Sequence, residues 1–119
     1  MTTQELKKRT FECGIRDVDA AEALPSSETA RALGRRLIRA GTSVGANYRV
    51  AVRARSRPDF IAKLGIVEEE CDESLYWMEA VVALKLLKPQ RLTNLQAEAD
   101  ELLSIVVSSI KTARRLRRT

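Results

Sequence analysis

The chain contains no histidine. That removes at once the commonest general base, proton shuttle and transition-metal ligand, and most enzyme classes weaken with it. Aromatic residues are scarce: one Trp, two Tyr and two Phe make up 4% of the chain. There is no Asn-Gly or Asp-Gly pair and no sustained apolar–polar alternation, so strands are not expected. The two cysteines, Cys13 and Cys71, stand in no CxxC pair. They are too few for a disulfide framework and read as small buried hydrophobes. No apolar run reaches the roughly 18 residues of a membrane span, and MTTQELKKRT lacks the apolar core of a signal peptide. A soluble, cytoplasmic protein without membrane association is expected.

What is present is apolar and charged: 45% hydrophobic and 31% charged residues over 119 positions. That balance argues against disorder and fits a single domain spanning residues 1–119. With 21 Lys and Arg against 16 Asp and Glu the net charge is +5, which permits a polyanionic partner without demanding one. Only five Gly and three Pro interrupt the chain. Pro25, Pro58 and Pro89 mark boundaries, giving helical segments at about 3–24, 27–54, 57–87 and 89–116.

Apolar residues recur at steps of three and four in each segment. The fourth carries Leu92, Leu95, Ala99, Leu102, Val106, Ile110 and Ala113. The third carries Phe60, Leu64, Val67, Cys71, Leu75, Met78, Val82 and Leu86. The second carries Leu33, Leu37, Ala40, Val44 and Ala51, and the weakest set, Leu6, Phe11, Val18, Ala21 and Leu24, belongs to the first. Such stripes are the seams of packed helices. Ser56, with Pro58 and Asp59 following, offers an N-cap for the third helix, and Ser26 or Ser27 one for the second. Lys88-Pro89 is expected to open the fourth. Long helices with short connections give an all-α, up-down-up-down antiparallel four-helix bundle.

Residues 41–47, GTSVGAN, place Gly41, Ser43, Gly45 and Asn47 inside the second helix, where each Gly costs about 1 kcal/mol relative to Ala. Two readings account for them: tight packing with a local kink, or a subunit or ligand contact. Ser43 and Asn47, four apart, share one face. Taken with RARSRPDFIAKLGIVEEECDESLYWMEAV, the stretch RRLIRAGTSVGAN resembles the bacterial four helix bundle protein family, whose founding members are encoded in intervening sequences of large-subunit ribosomal RNA genes. The resemblance covers roughly residues 30–85. Many members follow the Asn with Ile-Ala-Glu-Gly, whereas this chain has Asn47-Tyr48-Arg49-Val50-Ala51, so no role of that glutamate carries over. The resemblance implies a four-helix bundle assembled as a ring-like homopentamer. It also implies kinship with the accessory variability protein of diversity-generating retroelements, a basic pentamer that binds nucleic acid and a reverse transcriptase. Most members have no established activity.

In an up-down-up-down bundle the start of helix 1, the helix 2–3 turn and the end of helix 4 share one end. That end collects Lys7, Lys8, Arg9, Arg49, Arg53, Arg55, Arg57, Lys111, Arg114, Arg115, Arg117 and Arg118 against Glu5, Glu12 and Asp59. Twelve bases against three acids leave about +9 there, and about −4 elsewhere in a chain of net +5. Such a pole draws polyanions. The competing reading is a solvated terminus whose cations suit a helix C-terminal dipole; it covers the tail after Lys111 but not the Arg-rich turn. The nucleic-acid candidates are therefore Arg49, Arg53, Arg55, Arg57, Lys111, Arg114, Arg115, Arg117 and Arg118. With no aromatics interleaved, contacts to RNA or DNA are expected to be to backbone phosphates.

Arg31, Arg35 and Arg39 line another face. Folding the hairpin about Ser56 brings Arg39 near Glu73 and Arg35 near Trp77, so the acidic run from Glu68 to Glu73 reads as a structural partner within or between subunits. Arg35, Arg39, Gly41, Ser43, Gly45, Asn47, Glu73 and Trp77 are the subunit-interface candidates. No catalytic residue, cofactor or metal is expected: di-metal bundles use Glu-x-x-His pairs, the serines lack a histidine to activate them, and Glu69, Asp72 and Glu73 have a spacing found on any acidic helix face. The alternative to nucleic-acid binding is a scaffold that binds another protein.

Overall fold

Three of the four helices begin where the sequence places a hydroxyl to cap them. Thr2 Oγ1 accepts from Glu5 N at 3.0 Å, Ser27 Oγ from Ala30 N at 3.1 Å, and Ser56 Oγ from Asp59 N at 3.2 Å. These caps satisfy amides that the helices leave without internal partners. In the computed structural model, which describes residues 1–118 and side chains through Leu116, they open α1 (Thr3–Glu22), α2 (Glu28–Val52) and α3 (Arg57–Ala83). A 3-10 turn (Pro89–Arg91) leads into α4 (Thr93–Arg118). The described residues contain no strand.

The four helices form an antiparallel bundle 52 Å long and 21 Å across. Successive helices are neighbours, and the closing pair, α1 with α4, packs only sparsely. Leu37, Leu64, Val67, Met78, Leu102 and Val106 are fully buried along its axis, each contributing about 1.5–3 kcal/mol by leaving water. All seven residues of the predicted α4 stripe are buried, as are all five of the α2 stripe. In α3 the buried row runs Leu64, Val67, Cys71, Ser74, Met78 and Val81, so Leu75 and Val82 flank the seam rather than fill it.

Two expectations are corrected. In α1 the buried row is Leu6, Thr10, Cys13, Gly14 and Asp17, while Phe11 is 53% exposed; polar residues occupy seam positions that an apolar pattern assigns elsewhere. Helix α3 ends at Ala83 rather than about residue 87, and Pro89 opens the 3-10 turn, not α4. The stop is made by Lys85, whose φ of 58° is left-handed. Leu86 N then bonds to Val81 O and Lys85 N to Val82 O, both at 3.0 Å. This is the Schellman closure, with a lysine where glycine is usual.

The interior glycines of α2 serve α1. A Cβ on Gly41 would fall on the Asp17 carboxylate, and one on Gly45 would lie 3.2 Å from Phe11 N. From the other side, a Cβ on Gly14 would lie 3.0 Å from the Gly41 carbonyl oxygen. The two backbones meet at a distance only glycine allows, and α2 runs unbroken through the segment.

Candidate nucleic-acid interface

The α2–α3 turn is short because Arg53 closes one helix and Ser56 caps the next. Arg53, the C-cap of α2, bonds through its amide to Val50 O and Ala51 O. Arg55 and Arg57 flank the cap of α3. Cations at a helix N-terminus oppose its dipole. Their presence there therefore has no explanation in helix stability, unlike the bases that end α4.

The three predicted pieces of the pole do converge. Met1 from the start of the chain, Arg57 and Phe60 from the start of α3, and Ile105, Thr112 and Leu116 from α4 line one groove of about 810 Å³. A second depression beside it, about 390 Å³, is lined by Ser108, Lys111, Arg114 and Arg115. Arg49, Arg53, Arg55, Arg57, Lys111, Arg114 and Arg115 are all exposed. Among the described residues none of these seven forms an ion pair with a carboxylate. Arg49 lies over the Phe11 ring, 5.9 Å from its centroid. The side chains of Arg117 and Arg118 lie outside the described residues.

Arg9 is not part of the open pole. Its guanidinium grips Glu98 at 2.6 Å and Glu101 at 3.3 Å on α4. The hydrogen bond from Arg9 holds the Glu98 carboxyl below its usual range and raises the Arg9 value in turn. With Arg9 spent on these carboxylates, the pole keeps eleven bases against Glu5, Glu12 and Asp59, about +8, with about −3 left for the rest of a +5 chain.

The interface candidates do not gather in one patch. Arg39 bonds Glu70 at 3.0 Å and Glu73 at 2.7 Å, the α2–α3 pairing read from the hairpin, made within one chain; its hydrogen bond lowers the Glu73 carboxyl. Trp77 Nε1 donates to Glu73 at 3.2 Å, and Tyr76 meets the Trp77 ring edge-on at 4.9 Å. The arginine over Trp77 is Arg36, 5.1 Å from the centroid, not Arg35; Arg35 instead lines a groove with Leu24, Gly34 and Ile38. Gly41 and Gly45 are taken up by α1 of the same chain, so close packing accounts for them. Ser43 Oγ donates to Arg39 O at 2.6 Å and Asn47 Nδ2 to Ser43 O at 2.8 Å, so both side chains bond back to their own helix.

Sequence reasoning missed Asp17. It is 1% exposed, and its Oδ1 has no hydrogen-bond partner among the described residues. Burial pushes its carboxyl up to about 7, partly countered by Arg16. Cys13 and Cys71 are likewise pushed up to about 12 by burial, with Asp17 adding to both; such thiols are inert as nucleophiles. The missed signal was a step of four from Cys13 onto the seam. No cluster of three or more His, Cys, Asp or Glu able to hold a metal occurs among the described residues, and no described helix is long and apolar enough to cross a membrane.

Residues 3–108 match the family described as 23S rRNA-intervening sequence protein. The fold is similar to the 1.70 Å crystal structure of a protein of unknown function from the S23 ribosomal protein family of Bacteroides thetaiotaomicron. The two share 30% identity and a TM-score of 0.83, over 89% of this chain and 98% of that one. No curated protein matches the chain.

Proposed function

The chain belongs to the 23S rRNA-intervening sequence protein family, and from that premise we propose that it is a non-enzymatic, homo-oligomeric bundle that binds RNA or DNA backbone through its basic pole. The observation that carries this reading is the convergence of seven exposed bases at one end, free of ion pairs among the described residues. The Arg-rich turn stands at an α-helix N-terminus, where amides and dipole also favour anions. The seven bases outnumber the two aromatics beside them, Phe11 beneath Arg49 and Phe60 in the groove with Arg57, so recognition is chiefly of phosphates and independent of sequence.

A ring-like homopentamer, the assembly that the family resemblance implies, would point every pole the same way and multiply its field. Phe11, Ile15, Ile66 and Tyr76 are exposed and supply apolar surface that an assembly would cover. The reading is tested by replacing Arg53, Arg55, Arg57, Arg114 and Arg115 with Gln. At low salt the variant no longer retains a random RNA or duplex DNA, and for duplex DNA the slope of log affinity against log salt shrinks by as much as about 4.5. Helix content by circular dichroism is unchanged. Retention equal to that of the parent chain would overturn the proposal.

A further inference from the structure

Asp17 is used by nothing in the basic pole. It sits on the inner row of α1, one turn from Cys13, with its carboxylate against the bare backbone of Gly41 on α2. Every element around it offers little that would hold a charge. On α1 the groups acting with it are Arg16, which is exposed, and the Cys13 thiol. From α3 comes the buried Cys71 thiol. From α2 comes the glycine. The nearby α4 carboxylate that acts on Cys13, Glu98, is already held by Arg9. Oδ1 is orphaned in that setting, and a buried carboxylate without partners is a state that a protein avoids either by keeping the proton or by moving the group to water.

Helix α1 has a single close neighbour to part from. It is packed closely only on α2, through the Gly14–Gly41–Gly45 seam, and touches α4 sparsely, with Arg9 as its charged hook there. We propose that Asp17 is a proton-operated latch on the α1–α2 seam: with the carboxyl neutral α1 stays seated against Gly41, and ionisation lifts the middle of α1 away from α2. The latch is independent of what the basic pole binds.

The direction follows from linkage. Seated, the carboxyl titrates near 7; lifted into water it returns toward the ordinary 3.8. The seated state therefore holds the proton at pH values where the lifted state has lost it, and the seat weakens as pH rises from about 4 to about 7, then stays weak above. Hydrogen exchange of the full chain at about pH 5.5 and about pH 8.5, corrected for intrinsic exchange rates, reads the effect directly. Amides of residues 13–18 lose at least about tenfold in protection at the higher pH, while those of residues 102–106 in α4 change by less than about threefold. In Asp17→Asn the α1 loss disappears; if that variant does not fold, Asp17→Ala serves the same purpose, and the unmodified chain decides on its own. Protection of α1 that does not change with pH, or that falls in step with α4, would overturn the latch.

Discussion

A single missing methyl decides how closely α1 approaches α2. Gly41 faces the Asp17 carboxylate with no room for a Cβ, whereas Gly65 on α3 has nothing within 4 Å of where its Cβ would be. The same substitution therefore has opposite signs at the two positions. Gly41→Ala lowers stability by about 1–3 kcal/mol through overpacking, and Gly65→Ala raises it by about 0.5–1 kcal/mol through helix propensity and a less flexible unfolded chain. Urea titrations of the two variants check this, and equal effects would contradict the seam as described. Sequence alone marked Gly41 as unusual but not its partner, because the residue that faces it, Asp17, is charged by type and buried by position. An apolar template passes over such a residue. It also took Phe11 into the core, although Phe11 points outward beneath Arg49.

At the scale of elements, α2 and α4 were the most legible, since their apolar residues alone define the buried face. Helix α3 was legible up to Cys71, after which Ser74 replaces an apolar residue at the seam and draws the pattern off its true row. Ser74 is tolerated there because its hydroxyl donates to Cys71 O at 2.7 Å. The end of α3 was misplaced for a specific reason: the stop is a lysine in the left-handed region, and no glycine announces it. That conformation costs an L-residue about 1 kcal/mol or more. Lys85→Gly is accordingly expected to stabilise the bundle by up to about 1 kcal/mol, read as a higher urea midpoint at unchanged slope. A lower midpoint would show that the lysine side chain contributes more than the strain removes. The pairing of Arg39 with Glu73 was readable because hairpin geometry about a capped serine fixes which residues of α2 and α3 stand level. The one-position error over Trp77, Arg36 for Arg35, lies within the uncertainty of such a count.

For the whole molecule, the polarity of charge was legible from topology, because an antiparallel bundle dictates which termini and turns meet. Its magnitude was not. Arg9, counted as a free base, is spent on Glu98 and Glu101, which stand in the first third of α4, away from its basic end; that pairing depends on side-chain rotation about the helix axis, which a list of residues does not give. What remains is a pole of exposed bases, with Arg57 in the groove it shares with Phe60 and the last turns of α4, and Lys111, Arg114 and Arg115 in the depression beside it. The central claim is that this pole binds nucleic-acid backbone. Light scattering after size exclusion, at low and high salt, with and without a random RNA or duplex DNA, tests it most directly. The account predicts one stable mass near five chains, with added nucleic acid co-eluting at low salt and released at high salt. An assembly indifferent to nucleic acid at every salt concentration would contradict it.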